Sequence, residues 1–343
     1  MIHPRIQERL RAASLAVAVE GPSPKRGEDI FGNGPYPRSW EQFVGQDNAI
    51  RHLKAVIASA KARGSRPDHI LLASGMGGVG KSSLARLIAY LLGVGFMELS
   101  GPVSVDEARS ALRGMQDGDV LFLDEIHQLV QGGKGKAEWL LHLLQDGRLL
   151  TAAGDEPMPD VTVIGATTEA QRLPATILGR FRIRPVLEAY TDEEALRIIK
   201  GIALKLEFGT ELYPMPSAET LAALATAANN APRDMTSVLV AYRDTYYDGE
   251  PGFDINTALT WAGVSHDGLN RVAQDYLLVL VSCEGKASLA TIAGMLSEPG
   301  PLNHTENLLS QRGYITIESG GRRLTVDGVR RAGKLIQERG LAS

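Results

Sequence analysis

The chain has 343 residues, is 44% hydrophobic and 22% charged, and carries a formal charge of −4. Length and composition are those of a folded protein of two or three domains, not of a disordered or fibrous chain. One cysteine, Cys283, excludes a disulfide framework and a multi-cysteine zinc site; with no apolar run near the roughly 18 residues that cross a membrane, a cytoplasmic location is expected.

Residues 1–34 include Gly21-Pro22-Ser23-Pro24 and Gly32-Asn33-Gly34-Pro35, a turn-rich composition expected of a flexible arm. Across residues 35–186, short apolar runs alternate with helical patterns. Residues 70–73, 120–123 and 161–166 read as buried strands, whereas Leu84, Leu87, Ile88 and Leu91 fall on one face of a helix. Such alternation predicts a parallel sheet with helices on both faces. Strand signals stop over residues 187–264, where helical spacing at 193–206 and 218–228 predicts a small all-helical domain. Residues 265–343 open with helical segments and close on alternating residues around Gly320-Gly321, which predicts a hairpin and hence a winged helix. Cys283 is expected to be a buried thiol. From Gln311 onward, seven basic residues face three acidic ones, a local +4 on a body of −8. A solvated face is the common meaning of such a cluster, and contact with nucleic acid the sharper one.

The strongest chemical signal is Gly75-Met76-Gly77-Gly78-Val79-Gly80-Lys81-Ser82, which satisfies G-x-x-x-x-G-K-[ST] between a predicted strand and a predicted helix. The glycines let backbone N–H groups converge on phosphate oxygens, and the helix N-terminus adds a favourable dipole. Lys81 is expected to reach the β and γ phosphates of ATP, the Ser82 hydroxyl to ligate Mg²⁺, and Ser83, next in the helix, to complete the ATP-binding loop. A glycine-rich turn that binds nothing is the bland alternative, and the strand, loop, Lys-Ser and amphipathic helix in succession argue against it.

Val120-Leu121-Phe122-Leu123-Asp124-Glu125 is an apolar strand ending in two carboxylates. Asp124 is expected to support the metal and Glu125 to act as base toward the attacking water. His127 reads as a hydrogen-bonded structural histidine. The strand at 161–166 leads into the hydroxyls Thr167 and Thr168, and Arg180 follows a short helical segment; these are candidates for sensing the γ-phosphate and neutralising transition-state charge.

Taken with Pro67 to Leu72, Ser100-Gly101-Pro102, Gly118 to His127 and Ile164 to Thr168, this order and spacing resembles the RuvB family, the ring-forming AAA+ ATPases that drive bacterial Holliday-junction branch migration. Phe43-Val44-Gly45-Gln46 is similar to that family's adenine-side segment, and the similarity runs from about Pro37 to the C-terminal end. The resemblance implies an α/β P-loop AAA+ domain at 35–186, a helical lid at 187–264 and a winged-helix DNA-binding domain at 265–343, after an arm at 1–34. It further implies that Phe43 and Val44 flank the adenine, that Thr168 (or Thr167) is the first sensor, that Arg180 acts on a neighbouring subunit's ATP, and that Arg233 is the lid's sensor. Arg322 and Arg323 would contact DNA phosphates. ATP and Mg²⁺ are the implied cofactors, and duplex or four-way-junction DNA and a hexameric ring of identical subunits the implied partners.

The chain also departs from that pattern. Between Asp146 and Val163 it is shorter than the family, where this stretch forms the hairpin that docks on the partner RuvA; Gly154-Asp155-Glu156-Pro157-Met158-Pro159 is expected to make at most a stubby turn. Tyr36 and Gln128 stand where the family carries basic residues. The expected activity is an ATP-driven double-stranded DNA translocase or helicase for branch migration in recombination and repair, with a RuvA-like partner left open. The alternative is an ATP-controlled DNA-binding loader or recruitment module that does not translocate.

Overall fold

A computed structural model describes residues 23–32, 34, 36–130, 138–151, 154–247, 252–296 and 302–340. The chain divides into two compact units, Met1–Ala189 and Tyr190–Ser343.

In the first unit, β1 (Ile70–Ala73), β2 (Phe96–Ser100), β3 (Val120–Asp124) and β6 (Thr162–Thr167) form a parallel sheet in the order β1-β6-β3-β2. The apolar runs form strands buried on both faces, because successive side chains point to opposite sides. Ile70, Leu72, Val120, Phe122 and Ile164 pack into one core with Leu53 and Ile57 of helix α1 (Asp47–Arg63) and Leu84 and Ile88 of α2 (Lys81–Leu92). Leu71, Leu121, Leu123 and Val163 face a second core with Leu112 of α3 (Val105–Arg113) and Trp139, Leu140 and Leu143 of α4 (Glu138–Asp146). A short α5 (Ala175–Leu178) follows β6, and residues 183 and 186 then bridge β1 in parallel.

Two expectations need correction here. Residues 23–32 are packed, not free. Lys25 pairs with Phe96 on the open edge of β2, Arg26 bonds Asp119 at 2.8 Å, and Ile30 and Phe31 are buried. Glycine and proline suggested a loose arm, but two apolar residues placed against α2 outweigh the turn composition. Residues 1–22 and 33 lie outside the described residues. The second correction concerns the expected turn at 154–159, whose first four residues belong to a hairpin of β4 (Arg148–Thr151) and β5 (Gly154–Pro157), four residue pairs long. An Arg148–Asp155 ion pair (3.2 Å) crosses it, and Glu156 ties it to Arg113 of α3 (2.8 Å). These cross-strand and helix contacts form a hairpin from residues of low strand propensity.

The second unit holds two cores. One joins α6 (Asp192–Lys205), α7 (Ala218–Ala227), α8 (Pro232–Asp244) and α9 (Ile255–Trp261). Thr191 begins α6 with a reciprocal capping box to Glu194, and Pro232 opens α8 at its first turn, where its missing N–H is harmless. The other core joins α10 (Arg271–Ser282), α11 (Leu289–Met295), α12 (Asn303–Gln311) and α13 (Val326–Glu338) to an antiparallel sheet of β7 (Lys286–Ala287), β8 (Ile315–Glu318) and β9 (Gly321–Leu324), in the order β7-β9-β8. The predicted hairpin is therefore β8–β9. Gly321 needs to be glycine there: its φ is +127°, and an added Cβ would meet the Ala287 carbonyl oxygen at 2.6 Å. Cys283 is half-buried at the end of α10, its thiol 3.8 Å from the Met295 sulfur, and not fully buried as its residue type suggested.

Candidate nucleotide and DNA sites

Because β6 lies between β1 and β3, the C-terminal ends of these strands put the glycine loop, Thr167-Thr168 and Asp124-Glu125 on one edge of the sheet. Ligands of open α/β sheets bind at that edge. Gly75, Gly77 and Gly78 are exposed, and Gly78 and Gly80 have φ of +76° and +95°, which lets the loop turn tightly into α2. Val79 is buried and anchors the loop to the core. No side chain caps α2 and no acid lies in its first turn, which carries Ser82 and Ser83. The first-turn N–H groups and positive dipole end of a helix suit a phosphate. The buried Lys81 ammonium turns back over the loop, donating to Ser74 Oγ (2.8 Å) and the Met76 carbonyl (3.3 Å).

Asp124 ends β3, its Oδ1 accepting from the Glu125 N–H at 3.0 Å. Glu125 leaves the strand with φ of +47°, a left-handed backbone that costs a non-glycine residue about 1–2 kcal/mol and tends to collect at functional sites. Its Oε2 accepts from the Thr168 N–H (3.2 Å) and hydroxyl (3.1 Å), and lies 3.2 Å from His127 Nδ1. The structure thus brings Glu125 and Thr168 into direct contact. Thr167 is fully buried and faces His127.

Phe43 is buried and Val44 half-buried, just ahead of α1. The sequence placed the nearby Gln46 in the adenine-side segment without a role for its side chain. Its side-chain amide forms two bonds with the Glu188 backbone, N–H to carbonyl at 2.8 Å and carbonyl from N–H at 3.0 Å, fixing the chain where it leaves the unit. A φ of +60° directly before a helix is a structural signal that its residue type did not carry. Arg180 is exposed, donating to Gln145 at 2.7 Å, and it does not join the acid pair. Arg233 belongs to the second unit, exposed in the first turn of α8.

The DNA expectation changes most. Arg322 is turned inward, donating from Nε to Glu306 Oε1 (2.6 Å) and from Nη2 to Glu306 Oε2 (3.1 Å), while the buried Tyr276 hydroxyl donates to the same carboxylate at 2.7 Å. Burial works against the Glu306 anion, but Arg322 and Tyr276 outweigh it and hold the carboxyl below its ordinary value. Arg331 bonds Asp267 and Glu338, and Arg339 bonds Asp275. Much of the basic tail therefore forms internal ion pairs. Arg323 is exposed and only loosely associated with Glu318 (3.9 Å), so it alone of the two expected DNA contacts is free to meet a phosphate.

Comparison with known proteins gives a consistent picture. A family model described as the Holliday junction DNA helicase RuvB P-loop domain matches residues 36–187. A Holliday junction branch migration complex subunit RuvB from Wolbachia sp. subsp. Brugia malayi is 32% identical over 324 residues, 89% of this chain and 96% of the relative. The subunit of that name from Kosmotoga olearia is 31% identical over 90% of this chain and 92% of its own. Among solved structures, the Thermotoga maritima RuvB Holliday junction branch migration motor superposes with a TM-score of 0.74 at 26% identity, covering 87% of this chain and 98% of that one. A lysine-to-arginine mutant of the same Thermotoga maritima protein gives 0.75 at 27% identity, with the same coverage.

Proposed function

We infer from two facts, that this chain belongs to the RuvB family and that its P-loop, acid pair and Thr168 meet at one sheet edge, that it is an ATP-driven motor. The motor moves double-stranded DNA in branch migration of four-way junctions, in recombination and repair. The single observation that carries the ATPase reading is the contact of Glu125 with Thr168 beside the glycine loop, since a binding-only P-loop has no use for an oriented carboxylate at that edge.

In this reading Phe43 and Val44 hold the adenine, and the backbone from Gly75 to Gly80 cradles the phosphates. Lys81 leaves Ser74 to pair with the β and γ oxygens. Glu125 takes a proton from the attacking water while Thr168 senses the γ-phosphate. The Ser82 hydroxyl and Asp124 carboxylate are hard oxygen donors that fit Mg²⁺, which takes few protein ligands and completes its shell with phosphate and water. Bound there, the ion neutralises phosphate charge. Arg180, exposed and apart from its own acid pair, acts on the ATP of a neighbouring subunit, which makes a ring, a hexamer by family, a condition of turnover. Arg233 reports nucleotide state through the helical lid at 187–264, and the winged helix at 265–343 grips DNA through Arg323.

The four-pair β4–β5 hairpin favours a second reading for the partner, if not for the ATPase. A RuvA-like partner would meet a smaller docking element, and an ATP-controlled loader that recruits without translocating uses the same P-loop core. Steady-state hydrolysis by the wild type and Glu125→Gln, with duplex and four-way-junction DNA and a strand-exchange readout, tests both. DNA-stimulated turnover that Glu125→Gln removes, with strands exchanged, supports the motor. Retained DNA binding without turnover or exchange supports the loader.

A further inference from the structure

We propose that His127 is a positioning residue for the catalytic base Glu125, an inference that rests on reading this edge of the sheet as an ATP-hydrolysing centre. The imidazole is buried behind the site, with Nδ1 3.0 Å from Thr167 Oγ1 and 3.2 Å from Glu125 Oε2. An ionised carboxylate only accepts hydrogen bonds, so a bare Nδ1 lone pair at that distance would repel it. The hydrogen therefore sits on Nδ1, donated to the Thr167 hydroxyl oxygen, and the positive N–H edge faces Glu125 Oε2 at 3.2 Å. Thr167 is itself fixed, fully buried and accepting from the Glu169 N–H at 3.0 Å.

Two hydrogen bonds, from the Thr168 N–H and the Thr168 hydroxyl, thus hold one oxygen of Glu125, and the His127 Nδ1–H edge lies 3.2 Å from the same oxygen. None of them reaches Oε1. A carboxylate tethered by one oxygen presents the other in a defined direction, which a base needs when it takes the water proton as the new oxygen–phosphorus bond forms and the bond to the ADP oxygen breaks. The backbone does not set that direction. At φ of +47° Glu125 has left the alternation of β3, so its neighbours decide where the carboxylate points. His127 and Thr167 come from opposite sides of the problem, one just after β3 and the other at the end of β6. His127 links the two strand ends directly, beside the base.

The test compares wild type, Glu125→Gln, His127→Phe, His127→Asn and His127→Gln for duplex-stimulated ATP turnover, equilibrium binding of a non-hydrolysable ATP analogue, and Tm. Asparagine offers an N–H where Nδ1–H stands, whereas glutamine places its amide nearer the position of Nε2. The expected result is a tenfold or larger fall in kcat for His127→Phe, with KM and analogue affinity within twofold of wild type. His127→Asn should recover most of the loss and His127→Gln should not. Wild-type kcat in His127→Phe, equal activity in the asparagine and glutamine variants, or a loss carried by affinity or Tm would overturn the role. These outcomes are distinct from failure of the ATPase reading, which would appear as no hydrolysis by the wild type or full hydrolysis by Glu125→Gln and would remove the role of His127 with it.

Discussion

Arg322 and Glu306 are joined by two hydrogen bonds between β9 and α12, with Glu306 buried and Arg322 largely so. A bidentate pair of this kind stabilises little relative to an apolar pair of the same shape, but losing one partner leaves the other charge stranded. Arg322→Ala is expected to cost about 3 kcal/mol and to lower Tm, while Arg322→Met with Glu306→Leu and Tyr276→Phe, which leaves no buried hydroxyl without its acceptor, recovers much of the loss. Arg323→Ala should leave Tm unchanged, weaken DNA binding across sequences and reduce the salt slope by about one. Thermal unfolding and DNA titrations at several salt concentrations separate the two; a large DNA effect from Arg322→Ala at unchanged Tm would return the phosphate contact to Arg322.

His69 is the basis of a pH prediction. Burial, and then the nearby positive Arg66, push its pKa from 6.5 down to about 4, and its Nδ1 accepts from the Val163 N–H at 3.0 Å. The folded state holds the neutral ring, so above pH 6.5 this residue adds no pH dependence. As pH falls from 6.5 toward 4 the unfolded chain takes up the proton first, and the fold loses up to about 3 kcal/mol. Denaturant melts of the wild type and His69→Asn over that window should show a flatter slope for the variant, whose side-chain oxygen can accept the same bond without titrating.

Asp267 predicts a separate acid limit in the second unit. Burial raises its pKa, but the Arg331 guanidinium, Ser265 and Tyr314 more than offset this and bring it from 3.8 to about 2. Its contribution is complete above pH 3.8 and is lost as pH falls toward 2. Asp267→Asn should lower stability at neutral pH by about 2 kcal/mol and leave the variant less sensitive to acid over that window, measured by unfolding at pH 7 and pH 3.

Arg180 separates action within a subunit from action between subunits. Arg180→Ala should keep ATP binding and lose hydrolysis at least a hundredfold even in assembled protein. Mixed with Glu125→Gln subunits, it should regain part of the activity, because some interfaces then pair an intact Arg180 with an intact Glu125. Activity that stays absent at every mixing ratio would assign Arg180 to its own subunit's site.

The steric demand at Gly321 gives a prediction independent of nucleotide. Gly321→Ala pushes a Cβ to 2.6 Å from the Ala287 carbonyl oxygen on a backbone at φ of +127°. A loss of about 2 kcal/mol or more is expected, with a lower Tm and weakened DNA binding if the hairpin shifts. Unchanged Tm would mean that β7 and β9 move apart freely.

Local patterns in the sequence determined β1, β3 and β6, the glycine-loop motif and the acid pair at the end of β3, while β2 and the β4–β5 hairpin carried no such signal. Continuous apolar runs can be buried only in a sheet covered on both faces, and the glycine, lysine and serine spacing carries its own phosphate chemistry. Tertiary structure alone decided which charges remain available. Arg322 and Arg323 are adjacent and identical in type, yet β9 turns one onto Glu306 and the other toward solvent, because neighbouring strand residues face opposite ways. Packing likewise fixed residues 23–32 to the edge of β2 against their turn-rich composition. It also gave His127 a partner across the sheet, since the contact joins residues 40 positions apart whose meeting depends on strand order.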